Sequence, residues 1–150
     1  MAKRVDEREP TQTSLEVYDN CLKLSDHILS VCKPKEKNIN NKHIPKRNLG
    51  LGRMLTELVV DLGADIIEAN TTYVGVNLNV EDRKKNYRKR IGLQEHAKST
   101  TYRMEHIIRV LHFNAPFADS TITYMMQLLV ETRQLLIGWK EKDMREAKSL

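Results

Sequence analysis

The 150-residue sequence has little of what sheets, disulfide frameworks and membrane anchors require: two cysteines, six glycines, four prolines and 5% aromatic residues. Scarce Gly and Pro leave few tight turns for a many-stranded fold, while plentiful Leu, Glu, Lys and Arg favour helices, so little or no strand is expected. Cys21 and Cys32 fall on one expected helix, about 16 Å apart at its rise of ~1.5 Å per residue, too far for a disulfide. Two thiols outside a disulfide framework fit a reducing compartment. No uninterrupted apolar run approaches the roughly 20 residues of a membrane span. Met1 to Glu9 is charged where a signal peptide carries its apolar stretch, so a cytoplasmic location is expected.

The familiar catalytic patterns are also absent. There is no Ser-His-Asp order, Gly-rich phosphate loop or Cys-x-x-Cys pair, and Gly50-Leu51-Gly52 lacks the strand and further Gly of a dinucleotide site. His27, His43, His96, His106 and His112 are scattered, without the four-residue spacing and acidic neighbour of a helical zinc site. Glu57, Asp61, Asp65 and Glu68 step by three and four along one side of a helix. Such a stripe serves either a metal-dependent bundle enzyme or a salt-bridged face meeting a basic helix or a neighbouring subunit. Glu95-His96 and Glu105-His106 are adjacent pairs without the Glu-x-x-His spacing of di-iron bundles, so the salt-bridged face is the expectation, with no cofactor and no catalysis.

What is present is helical periodicity. A chain this long fits one domain that buries roughly two-thirds of its unfolded surface. Residues 1–13 are polar, include Pro10 and read as a loose tail, and the bundle is expected over 14–147. Ser14 is a candidate N-cap for a first helix whose apolar stripe is Leu15, Tyr18, Leu22, Ile28 and Leu29, flanked by Cys21, Leu24 and Val31, ending near Cys32 before Pro34. Residues 33–48 hold two Pro, four Asn and six Lys or Arg, a composition for a long basic loop. A second helix is expected from about Leu49 to Thr72, with Leu51, Leu55, Leu58, Leu62 and Ala69 inward and Gly63 as a weak point or close-packing site. A turn over Tyr73 to Asn79 precedes a third helix from about Val80 to His112, whose seam (Tyr87, Ile91, Gln94, Ala97, Thr101, Met104, Ile108, Leu111) is polar in its middle. Asp119 or Ser120 can cap a fourth, carrying Ile122, Met125, Leu129, Leu136 and Trp139 and fraying near Glu146. The class is all-α, an up-down-up-down four-helix bundle.

Charge is distributed unevenly. Arg83 to Arg90 places six cations in eight positions, and Val80 to His112 holds nine Lys or Arg against four Asp or Glu, a net +5 that equals the charge of the whole chain. Loop 33–48 adds another +5, and the rest of the chain is correspondingly acidic. Cations at a helix N-terminus oppose its dipole, which calls for a reason beyond stability. Neutralising phosphates is one, since the released counterions supply most sequence-independent affinity for nucleic acid. The candidate binding residues are Arg83, Lys84, Lys85, Arg88, Lys89 and Arg90, with Lys42, Lys46 and Arg47 from the loop. The bland reading is a solvated face paired to Glu81, Asp82 and neighbouring carboxylates. Tyr87 can stack on a base, though its place in the core period favours packing.

Leu15 to Cys32, Leu51 to Thr72, Lys85 to Leu111 and Ile122 to Lys142, taken in order, resemble the four helices of the accessory variability determinant family of diversity-generating retroelements. The clearest stretch is Leu128 to Trp139, where a leucine-rich run ends in Gly138 and Trp139. Four-helix proteins encoded in ribosomal-RNA intervening sequences share the pattern but carry an Asn-Ile-Ala-Glu-Gly run after the second helix, where this chain has Asp65-Ile66-Ile67-Glu68-Ala69. The resemblance implies a ring-like homopentamer of four-helix protomers with a positive surface. By the same implication it binds the element's reverse transcriptase and its RNA or DNA, supporting error-containing cDNA synthesis and retrohoming without catalysing a step. The rival expectations are a basic interaction protein with a protein partner only, or a four-helix protein of the ribosomal-RNA intervening-sequence type.

Overall fold

The computed structural model describes residues 12–32, 49–114 and 118–150. Among them stand four helices and no strand: α1 (Gln12–Cys32), α2 (Leu49–Thr71), α3 (Val80–Asn114) and α4 (Asp119–Lys148). α1 packs on α2 and α4, and α3 packs on the same two, so the helices form a closed four-membered bundle. Side-chain pairs fix the register of the last two helices. Tyr87 meets Glu146, Arg90 meets Asp143, Glu95 meets Lys140 and Thr101 meets Arg133, so α4 descends as α3 rises. The tail before Gln12 and loop 33–48, with its candidates Lys42, Lys46 and Arg47, lie outside the described residues.

On α1 the buried stripe is Ser14, Val17, Cys21, Leu24 and Ile28, at steps of three and four. This corrects the expected stripe, because Leu15, Leu22 and Leu29 stand 40%, 49% and 44% exposed. It also corrects the expected cap, since Ser14 lies within the helix, two residues past its start. The sequence misleads because a leucine line recurring every seven residues outweighs, by hydropathy, a line that contains Ser and Cys. On α2 the inward residues are Leu55, Val59, Leu62, Ile66 and Ala69, while Leu51 and Leu58 are half-buried and Val60 and Ile67 face out. Gly63 is not required by close packing: a Cβ there would meet Cys21 Sγ at 3.6 Å, ordinary contact. Both cysteines are free, and burial pushes their thiols up to about 12 for Cys21 and about 11 for Cys32.

The inward residues of α4 follow the expected period, Ile122, Met125, Leu129, Leu136 and Trp139, each well buried. A buried Leu or Ile contributes roughly 1.5–3 kcal/mol against exposure, so these rows dominate the fold's stability. Two details of α4 differ from expectation. Its N-cap is Ala118, which makes no side-chain cap; Asp119 and Ser120 are already helical, and the Asp119 carboxylate instead takes a contact from His112 Nε2 at 3.1 Å. The helix also continues past Glu146 to Lys148, because the Glu146 carboxylate is pinned by the Tyr87 hydroxyl at 2.7 Å.

The expected polar middle of α3 finds its complement on α4. Gln94, Thr100 and Thr101 are buried, and so are Thr132, Arg133 and Asp143. Arg133 donates to Thr101 Oγ1 at 2.9 Å, to the Thr101 carbonyl at 3.2 Å and to Glu105 at 3.2 Å. A buried guanidinium held by three acceptors stays charged without forfeiting its hydrogen bonds, which is how the seam tolerates it. No helix among the described residues is long and apolar enough to cross a membrane.

Candidate nucleic-acid interface

The basic end of α3 starts at a well-made cap. Asn79 Oδ1 accepts the Asp82 amide at 2.8 Å, Asn79 Nδ2 donates to the Asp82 carboxylate at 3.0 Å, and the Asn79 carbonyl accepts the first helical bond from Arg83 at 3.0 Å. Glu81 and Asp82 sit in the first turn, where negative charge complements the helix dipole and offsets the cations that follow. Two further bonds hold the preceding turn against the helix: Arg83 Nε donates to the Val74 carbonyl at 3.2 Å and Asn86 Nδ2 to the Tyr73 carbonyl at 2.7 Å. In that turn the Tyr73 ring lies against Gly75, where any Cβ would overlap it.

The six cations of Arg83 to Arg90 therefore divide by what they touch. Arg83 is tied to the turn. Arg90 points inward, its guanidinium making two 3.0 Å bonds to the Asp143 carboxylate and lying 5.4 Å from the Trp139 ring centroid. Its side chain is only 13% exposed. Lys89 reaches across to Glu68 on α2 at 3.6 Å, an open pair with both partners more than half exposed. Lys84, Lys85 and Arg88 share the outer side of the helix and have no ion-pair partner among the described residues. The structure thus brings Lys84, Lys85, Arg88 and Lys89 together on one surface and places Arg90 in the bundle.

The sequence carried a signal for Arg90. It lies three residues after Tyr87 and four before Gln94, on the inward line of α3, and a guanidinium there demands an acid from a facing helix. Asp143 supplies it and also accepts from Gln94 Nε2 at 2.7 Å. Burial pushes the Asp143 carboxyl up from the ordinary range, and Arg90 and Gln94 pull it back. Tyr87 is likewise inward, 2% exposed, so it packs rather than stacks on a base. Burial, the hydrogen bond to Glu146 and the surrounding carboxylates push its phenol up to about 12.

The acidic stripe of α2 divides as well. Asp65 pairs with His96 Nδ1 at 2.5 Å and Glu68 with Lys89, so half of it meets the basic helix. Glu57 and Asp61 instead border a groove between α2 and α3 of about 610 Å³, together with Met54, Leu58, Tyr102, Arg103, His106 and Ile107. Among the described residues no three His, Cys, Asp or Glu side chains converge on a point that would hold a metal ion. By charge the layers are opposed: α1 and α2 carry seven Asp or Glu against two Lys or Arg, a net −5, and α3 carries +5. Sequence reasoning missed Tyr102, half exposed on α3, because it sits just off the inward line and outside the cationic run. No known protein family, curated protein or solved structure matches the chain.

Proposed function

We propose that this chain is a non-catalytic accessory protein of a diversity-generating retroelement, working in the cytoplasm, that holds RNA or DNA on the outer face of α3 and binds the element's reverse transcriptase. The carrying observation is the cluster Lys84, Lys85 and Arg88, exposed or half-buried and without ion-pair partners among the described residues, with Lys89 beside it in an open pair. Clustered outward cations repel one another, and phosphates relieve that repulsion while releasing their own counterions. Lys42, Lys46 and Arg47 are further candidate phosphate contacts in this reading. The reverse transcriptase and the support of mutagenic cDNA synthesis come from the family resemblance over residues 15 to 142.

Assembly into a homopentameric ring belongs to the same proposal. It is supported by the exposed line Leu15, Leu22 and Leu29 on α1, repeated in spacing by Val60 and Ile67 on α2, and by the opposite charges of the α1/α2 layer and α3. Apolar side chains recurring every seven residues on a helix surface are the pattern by which helices of separate chains pack together. The leucine line also favours a second reading, a protein-only interaction module. A pull-down of a retroelement reverse transcriptase with the purified chain, with and without template RNA, followed by light scattering, separates them. A ring-sized complex that forms with the transcriptase is expected; a chain that ignores both transcriptase and RNA overturns the proposal.

A further inference from the structure

The groove between α2 and α3 joins an apolar floor to polar and aromatic walls. Its floor is apolar, from Leu58, Ile107 and the half-exposed Met54. One wall is the Tyr102 ring, 51% exposed, with the Arg133 guanidinium 3.9 Å from its centroid. Arg133 is itself held by Thr101 and Glu105, so the ring rests on an anchored guanidinium. Glu57 and Asp61 stand exposed on the α2 side and Arg103 and His106 on the α3 side.

This combination is selective about what it accommodates. A volume of about 610 Å³ with an apolar floor suits a flat organic group of modest size. The tyrosine face offers stacking to any base, because each has a π-face. Ionised carboxylates only accept hydrogen bonds, so Glu57 and Asp61 recognise amino edges such as cytosine N4 and disfavour the carbonyl-rich edge of uracil. Arg103 is a cation at the rim for the phosphate that accompanies a base. Position 102 lies four helical turns beyond Arg88, about 21 Å along the same helix, so one strand lying on α3 reaches both.

We infer that the α2/α3 groove beside Tyr102 holds an unpaired, amino-bearing nucleobase of a single strand whose backbone runs to the Lys84, Lys85 and Arg88 cluster. This rests on the nucleic-acid reading above, and the test separates the two. Fluorescence anisotropy is measured with labelled oligocytidylate, oligouridylate and a duplex, each of about 12 nucleotides, within the site sizes used by single-strand binders. Wild-type protein binds oligocytidylate more tightly than oligouridylate. Tyr102→Leu weakens oligocytidylate binding by about fivefold or more, the scale of one lost base stack, and leaves the duplex unchanged. The pair Glu57→Gln and Asp61→Asn removes the preference for cytidine whatever it does to overall affinity. Equal binding of the two single strands by wild type, or equal effects of Tyr102→Leu on single strand and duplex, overturns the groove assignment. If Lys84→Glu, Lys85→Glu and Arg88→Glu together still abolish binding in that case, the basic interface stands without the groove; if wild type binds none of the probes, both readings fall.

Discussion

Truncating Asp143 to Ala removes the acceptor that makes the inward Arg90 tolerable. The carboxylate takes three hydrogen bonds, at 3.0, 3.0 and 2.7 Å, and its side chain is 3% exposed against 13% for Arg90. Ala at 143 leaves a largely buried guanidinium without a counter-charge and strips Gln94 of its partner, although Gln94 Oε1 already lacks one. Breaking a buried pair from one side costs about 3–5 kcal/mol, and the small residual exposure of Arg90 favours about 3. For a chain of this size that corresponds to a fall in Tm of about 6–12 °C. Replacing both partners, Arg90→Met with Asp143→Leu, removes the desolvation cost together with the attraction and is expected to recover most of that loss, the remainder being the buried Gln94 amide left without an acceptor. The raised carboxyl of Asp143 points the same way: its folded pKa exceeds the unfolded one, so this group's contribution falls as pH rises through the carboxylate range. Urea unfolding followed by circular dichroism at one fixed protein concentration measures both variants beside wild type. A loss under about 1 kcal/mol for Asp143→Ala, or a double variant as weak as the single one, refutes the reasoning.

Tyr87 gives a pH dependence of known sign. Its phenol, pushed up to about 12, holds its proton more tightly folded than unfolded, so stability falls as pH rises from about 10 to about 12, by about 2–3 kcal/mol. Tyr87→Phe is expected to be slightly less stable at neutral pH, having lost the bond to Glu146, and to lose less than wild type over that alkaline window in parallel urea titrations. Gly138 lies exposed inside α4 with no atom within 4 Å of a Cβ built on it, so Gly138→Ala should stabilise by about 0.8–1.0 kcal/mol through helix propensity alone. A thermal melt that moves downward instead would show that this face is packed against something.

The helices were legible because each long segment has a 3.6-residue period bounded by Pro, Asn or Gly, and their observed limits lie within two residues of expectation. Which face of α1 turns inward was not legible. Leu15, Leu22 and Leu29 are more apolar than Ser14 and Cys21, and only the fit against α2 and α4 decides between the two lines. The basic run was plain in the sequence, but its division was not, because sequence alone does not say that Arg90 faces Asp143 some fifty positions later while Lys84, Lys85 and Arg88 face out. Tyr102 was invisible for a related reason: its role depends on Arg133, brought beneath the ring by the antiparallel register of α3 and α4.

The central claim is that the outer face of α3 grips phosphates, and the salt dependence of single-strand binding tests it most directly. Anisotropy titrations of oligocytidylate between low and moderate salt should give log Kd against log[salt] a slope of about 0.7 for each neutralised phosphate. Lys84→Glu, Lys85→Glu and Arg88→Glu together are predicted to lower both affinity and slope, whereas Arg90→Met with Asp143→Leu leaves both near wild type. A slope and affinity unchanged by reversing Lys84, Lys85 and Arg88 would contradict the account.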